Sequence, residues 1–257
     1  MGVEAVFNIT LMKTAFPHFT GRIIVMDVIA EGFKAAIELL LKGDAQLYEI
    51  VGLSLGVSLC SVAISTFIGV PLGALIGTHD FKFKNALLRV VYTLMSLPPV
   101  IAGLLVFLFI MRRGPLGSLE LAYTPTAMVI AQVCLVTPII TGLTYNIVRE
   151  KADKVKNIAV TLGAGKFEVL KLLLSELKIG ILAAIVTGMG RSLSEVGAVM
   201  IVGGNIKGKT RVMTTYIAQL KSMGDYSTAI AVGIVLMVLA FLINSFLYNY
   251  QQRDERL

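Results

Sequence analysis

Histidine, cysteine and charge are all scarce in this sequence. His18 and His79 are the two histidines, and both fall near expected element ends or loops. No metal cluster and no nucleophile–base pair can be built around them, so they read as solvated or interfacial side chains and the chain does not read as an enzyme. Cys60 and Cys134 lie inside apolar runs, where they serve as small packing residues and not as a disulfide or metal site. No cofactor or metal is called for. Charged residues make up 15% of the 257, against about 25% in an average soluble domain. Apolar residues make up 56%, and the mean hydropathy is +0.82, which together point to a membrane protein. A net charge of +7 could suggest nucleic acid, but the basic residues flank apolar runs, as anchors at a membrane interface do.

A cleavable leader is also missing from the start. MGVEAVFNITLMK carries Glu4 where a basic region belongs, and Asn8 and Thr10 interrupt its apolar stretch. Met12 and Met26 offer alternative starts, and residues 1–25 read as an extension of uncertain order.

What is abundant is uncharged length. Ile50 to Thr78, Val90 to Met111, Leu121 to Val148 and Tyr226 to Tyr250 contain no charged residue. Each exceeds the roughly 20 residues that cross a bilayer. A fifth apolar segment, about Ile179 to Ile206, is interrupted by Arg191 and Glu195. The expected fold is an all-α integral membrane bundle of about five spanning helices over residues 45–250, ending in a short cytoplasmic tail, 251–257. Residues 26–44 precede it. Asp27, Glu31, Lys34, Glu38 and Lys42 recur every three or four positions, with Ile29, Phe33, Ile37 and Leu40 on the opposite face. That pattern predicts an amphipathic helix lying in the interface against membrane lipid. In the first span, Gly52/Gly56, Gly69/Gly73 and Gly73/Gly77 are four apart, a spacing that lets helix backbones approach closely in lipid.

Residues 203–210, GGNIKGKT, match the phosphate-loop pattern G-x-x-x-x-G-K-S/T at every fixed position. Such a loop needs a strand before it and a helix after it within an α/β unit. VGAVMIVGG is instead the tail of a membrane segment, and the chain has no room for a covered parallel sheet. The glycines therefore predict a turn at a helix exit. Lys207, Lys209 and Arg211 are then either solvated or help attract an anion.

Between the third and fourth spans lies REKADKVKNIAVTLGAGKFEVLKLLLSELK, about residues 149–178. Ala159, Leu162, Phe167, Leu170 and Leu174 recur at helical spacing, and Gly163-Ala164-Gly165 divides them into two short helices. A helix–Gly–helix hairpin with a small apolar face is built to dock a partner. If this loop is cytoplasmic, inner segments carry twelve Lys and Arg and outer ones ten. The positive-inside bias then places the N-terminus outside and the C-terminus in the cytoplasm.

The stretch NIAVTLGAGKFEVLKLLLSEL resembles the EAA loop of ABC-importer permeases, which reads E-A-A, then Gly three residues later, then I-x-L-P. Ala159 and Gly163 match its second Ala and its Gly, while Asn157, Ile158 and Glu176 replace its Glu, first Ala and Pro. GRSLSEVGAVMIVGGN, residues 190–205, follows at the right distance and is similar to the R-S-L/I-G/S-E-F/V-G-A signature of oxyanion permeases, the molybdate, tungstate and sulfate group. NIKGKTRVMTTYIAQLKSMGDYSTAIAVGI looks like the tungstate type in particular, and SLPPVIAGL at 96–104 fits the group's Pro-Pro segment. The resemblance spans about residues 26–250.

It implies a permease subunit of an ATP-driven importer in the plasma membrane of a prokaryote, carrying tungstate, with molybdate and sulfate as alternatives. Its implied partners are an ABC ATPase subunit dimer, an extracytoplasmic oxyanion-binding protein and, since the chain has one coupling loop, a second copy of itself. Gly163 would turn the coupling loop sharply, Ala159 and Ala164 would allow close approach, and Leu162 and Phe167 would fill a groove on the ATPase. Arg191, Ser192, Ser194 and Glu195 are the path candidates, because ionisable groups at membrane depth face a cavity or a partner. Arg191 and Glu195, four apart, either pair with each other or leave Arg191 to meet a dianion. Ser96, Pro98 and Pro99 predict a kink in the second span, either structural or lining the path. An ATP-independent secondary transporter would also use a broken fourth helix, but it predicts an inverted repeat that is not visible and leaves the docking loop without a use.

Overall fold

The computed structural model describes residues 29–38, 45–161 and 163–254. The regular elements among them are helical. They are α1 (29–38), α2 (Ala45–Thr78), α3 (Lys84–Met95), α4 (Pro99–Ile110), a 3-10 turn at Gly117–Leu119, α5 (Pro125–Thr161), α6 (Lys166–Glu176), α7 (Lys178–Leu193), α8 (Gly197–Gly203), α9 (Met213–Ser222) and α10 (Tyr226–Asp254). The 1–25 extension and Leu162 lie outside the described residues, as do 26–28 and 39–44 of the amphipathic segment.

The centre is the pair α2 and α5, held together by glycine. A Cβ on Gly73 would lie 2.5 Å from the Thr141 carbonyl oxygen, and one on Gly77 would lie 2.7 Å from Val148 Cγ1. Gly69 sits against Ile140 and Thr141 in the same way. The touching positions on both helices advance together, so α2 and α5 run parallel. Close approach of this kind replaces the hydrophobic drive that lipid removes. The Gly52/Gly56 pair behaves differently: a Cβ on either would meet nothing within 4 Å.

Helix α7 runs against α5, since Gly180 lies on Ile147 and Gly188 on Ile140 and Val136. Helix α10 runs with α2: Val232 and Val235 pack with Leu47 and Ile50, while Ala240 and Ile243 pack in the cluster of Val62 and Met189. Three continuous helices therefore run the same way, and two returns must join them. Two bent pairs supply these returns. Helices α3 and α4 meet at 100°, and α7 and α8 at 57°. The bundle thus has three unbroken spans, or five if each bent pair counts as one. The uncharged run from Val90 to Met111 is not one straight helix, because Pro98 and Pro99 break it.

Helix α1 presents Gly32 and Ala36 to the bundle; a Cβ on Gly32 would lie 2.5 Å from Ile230 Cγ2. Ile29, Phe33 and Ile37 face outward, the side an interfacial helix offers to lipid.

Candidate functional site: two helix breaks around a polar pocket

Each break has a local cause. Pro98 lacks an N–H and takes φ −59° and ψ 128°, so α3 ends before it; Pro99 then opens α4 at its first position. Ser96 and Pro98 are exposed, and Pro99 is half-buried. The second break, Ser194–Glu195–Val196, has no proline. Glu195 holds it, with a side chain 2% exposed. Its Oε1 accepts the Ala198 N–H at 2.9 Å at the start of α8. Its Oε2 meets Arg191 Nη1 at 2.8 Å across one turn of α7. Its backbone carbonyl accepts the Thr214 hydroxyl at 2.7 Å, tying the break to α9. A carboxylate at the positive end of a helix is favoured there as well.

The two breaks touch. A Cβ on Gly197 would lie 2.9 Å from Val100 Cγ2, and one on Gly103 would lie 2.6 Å from Ala198 Cα. The N-terminal halves of α4 and α8 are therefore in close contact, backbone to backbone at Gly103 and Ala198.

Beneath the second break lies a small polar cavity of about 10 Å³, bounded by Ser54, Ser58, Gln132, Ser192, Glu195 and Thr214 with Val57, Leu193, Val212, Met213 and Leu236. That is about the volume one water needs. Its polar groups are largely engaged within the chain. The Ser192 hydroxyl donates to Gln132 Oε1 at 2.7 Å, and Gln132 Nε2 donates to the Ser192 carbonyl at 3.1 Å. The Met213 N–H donates to Ser54 Oγ at 2.8 Å, and Ser54 donates to the Ile50 carbonyl at 2.7 Å. The structure thus brings Arg191, Ser192 and Glu195 to one site beside the Pro-Pro break. Ser194 faces outward, hydrogen-bonded to the Arg191 carbonyl at 3.2 Å. Gln132, Ser54, Ser58 and Thr214 escaped the sequence reading. A signal existed for one of them: Gln132 is the only amide side chain between Leu121 and Tyr145.

At the far end of α5 the helix does not stop with its apolar run at Val148. It continues to Thr161, so the first arm of the expected hairpin is the end of a 37-residue helix. Gly163 then adopts φ +83°, and the Ala164 N–H donates to the Ala159 carbonyl at 3.0 Å. This is a Schellman stop, with glycine at the left-handed position. Glu168 Oε2 accepts the Gly165 N–H at 2.7 Å and starts α6, half of a capping box. Ala159 is buried with Val148, Val169 and Leu177, Ala164 packs at the edge of that cluster, and Phe167 stands 79% exposed at the start of α6.

GGNIKGKT forms no phosphate cradle. Gly204 caps α8 at φ +72°, and the N–H groups of Lys209, Thr210 and Arg211 all donate to the Ile206 carbonyl. The buried Thr210 hydroxyl donates to the Gly203 carbonyl, so the loop's donors are turned onto its own backbone.

Residues 69–256 match the family of binding-protein-dependent transport system inner membrane components. The chain belongs to that family. It is 51% identical over 227 residues to the tungstate uptake system permease protein TupB of Peptoclostridium acidaminophilum, covering 88% of this chain and all of that one. A protein of the same name from Campylobacter jejuni is 33% identical, over 86% of this chain and 92% of that one. Among solved structures, the crystal structure of a bacterial ABC transporter involved in the import of the acidic polysaccharide alginate aligns with a TM-score of 0.70 at 18% identity, over 97% of this chain and 99% of that one. At that identity the likeness speaks for the fold alone. The chain is thus a multi-pass membrane permease component and not a catalytic subunit.

Proposed function

We propose that the chain is the permease subunit of an ATP-driven importer for tungstate. The observation that carries this reading is likeness to a tungstate permease over that protein's whole length, with the polar break of α7 and α8 inside the matched region. A second copy would complete the path, an ABC ATPase dimer would dock on the two α6 elements, and an external binding protein would deliver the ion. The N-terminus then lies outside and the C-terminus in the cytoplasm.

On this reading, Arg191, Ser192, Ser194 and Glu195 with Ser96, Pro98 and Pro99 form the gate. The conformation described would then be a closed one, since a cavity of about 10 Å³ takes a water and not a tetrahedral oxyanion. Glu195 neutralises Arg191, and Gln132 occupies Ser192. ATP-driven closure of the ATPase pair, passed on through Ala159, Leu162, Gly163, Ala164 and Phe167, would shift the bundle to a state in which the α7–α8 hinge opens.

The test is uptake of labelled tungstate by proteoliposomes holding this chain, its ATPase and its binding protein. ATP-dependent uptake that resists excess molybdate and sulfate is expected. Uptake lost to molybdate or sulfate would move the substrate to that oxyanion. Uptake without ATP, unchanged in Gly163→Val, would favour a secondary transporter instead.

A further inference from the structure

Helix α3 does not run along the bundle. Lys84 Nζ lies 5.9 Å from the centre of the Tyr145 ring, Leu88 packs with Tyr145 and Ile76, and the Tyr92 hydroxyl donates to Asn146 Oδ1 at 2.7 Å. Val91 and Met95 lie on Gly142. Twelve residues of α3, roughly 17 Å of helix, therefore move only from Tyr145 to Gly142 along α5, about 5 Å. The 100° bend into α4 follows from this. If α5 crosses the bilayer, α3 lies nearly in the membrane plane, at the end of the bundle that leads to α6.

This crosswise helix has two apolar faces. Leu88, Val91 and Met95 pack inward. Phe83, Leu87, Val90 and Leu94, three or four apart, form a second, outward-facing stripe, with Phe83 69%, Val90 53%, Leu87 40% and Leu94 38% exposed. Beside the stripe, residues 79–89 carry three cations, Lys82, Lys84 and Arg89, and one acid, Asp80. Lys84 is paired with Asp80 at 2.9 Å. Lys82 and Arg89 are exposed. On α5 the neighbouring Arg149 is held by the Tyr145 hydroxyl at 2.9 Å. Glu150 and Lys151, exposed at the same end of α5, cancel in charge.

We propose that the turn 79–83 and α3 form a binding site for anionic phospholipid, in the leaflet on the α6 side of the membrane. The stripe of Phe83, Leu87, Val90 and Leu94 enters the acyl region, and Lys82 and Arg89 hold the headgroup phosphates. Charge complementarity chooses the occupant: an in-plane helix with an apolar stripe and exposed cations that outnumber the acids beside it matches an anionic surface. The proposal rests on the membrane-spanning reading and is independent of the ion transported.

The chain contains no tryptophan, so Phe83→Trp is a lone fluorescent reporter. Its emission is measured in proteoliposomes in which either the zwitterionic lipid or phosphatidylglycerol carries brominated acyl chains. The expected result is blue-shifted emission, quenched by both lipids and more strongly by brominated phosphatidylglycerol. Lys82→Gln and Arg89→Gln should each reduce that preference roughly fivefold, the share of one cation at an anionic surface. Leu87→Trp serves as the reporter if Phe83→Trp does not fold, with unfolding temperature as the control. Quenching by neither lipid, meaning that water or a second protein copy covers the stripe, overturns the proposal. So does equal quenching by the two lipids, or a preference that survives both substitutions. None of these readouts requires transport, so they stand whatever the substrate proves to be.

Discussion

The Arg191–Glu195 pair makes an asymmetric prediction. Glu195 has a side chain 2% exposed, whereas that of Arg191 is 32% exposed. Arg191→Gln would leave the carboxylate buried with one remaining partner, the Ala198 backbone N–H. Removing one partner of a buried pair costs about 3–5 kcal/mol, and the partial exposure of Arg191 argues for the lower end, ~3 kcal/mol. Glu195→Gln keeps the shape and the acceptor for Ala198, and the freed guanidinium can turn to water, so ~2 kcal/mol is expected. The double variant removes both charges and should cost ~3 kcal/mol rather than the sum, giving a coupling of ~2 kcal/mol. In thermal unfolding of the purified chain, ~3 kcal/mol is a fall of roughly 6–12 °C. Additive losses, with coupling below ~0.5 kcal/mol, would refute the pairing as the source of stability. Uptake adds a second axis. If Arg191 also meets the dianion, the double variant should regain stability relative to the sum yet remain at least ~10-fold slower, as expected for a lost charged contact. Wild-type uptake in that variant would reduce the pair to a structural role.

Gly73→Ala forces a Cβ to within 2.5 Å of the Thr141 carbonyl oxygen, a backbone atom that cannot swing away, and should destabilise by ~1–3 kcal/mol. Gly52→Ala, with nothing within 4 Å, should be neutral or stabilising by up to ~1 kcal/mol, and comparing the two unfolding temperatures checks both. Phe167→Ser should leave the unfolding temperature unchanged, because the side chain is 79% exposed, yet lower affinity for the ATPase subunit at least ~10-fold in co-purification. Asp225 caps α10. A hydrogen bond from the Thr228 side chain and then that from its backbone N–H hold its carboxyl below the ordinary range. Its contribution is therefore present above the unfolded value of about 3.9 and is lost as pH falls through the lowered folded value. Asp225→Asn should flatten that acid limb of the thermal-unfolding profile.

The spans were legible because a bilayer demands uninterrupted apolar length, and Ile50–Thr78, Leu121–Val148 and Tyr226–Tyr250 each fall within one helix or overlap it closely. Less was legible where length and direction part company. Val90–Met111 is long enough to span, and Pro98 and Pro99 mark the expected kink, but neither hydropathy nor proline tells its size, a bend of 100° between α3 and α4. Likewise, charge begins at Arg149 while α5 continues to Thr161, because Glu, Lys and Ala are good helix formers whatever surrounds them. The glycine stop at 163 was readable, since only a left-handed residue ends a helix that way. The partners of Ser192 were not: Gln132 lies 60 residues away, and the Ser54–Met213 bond joins residues 159 apart.

Those unreadable bonds bear on how an anion could pass. In the conformation described, several donors at the break are engaged within the protein: Ser192 by Gln132, Thr214 by the Glu195 carbonyl, and Arg191 Nη1 by the Glu195 carboxylate. An entering dianion would have to exchange these bonds one for one, while the released acceptors, the Glu195 carboxylate above all, turn elsewhere. Such an exchange yields little net affinity, because every bond to the ion replaces a bond within the protein. A path needs this property, since an ion held tightly would not leave. It follows that a site of two or three hydroxyl and amide groups cannot separate tungstate from molybdate, which share charge, shape and nearly size. If the chain carries tungstate selectively, the discrimination belongs to the protein that delivers it, and substitutions at Gln132 or Ser192 should change the uptake rate for both oxyanions by the same factor. A change in their ratio would place a selective site within the bundle.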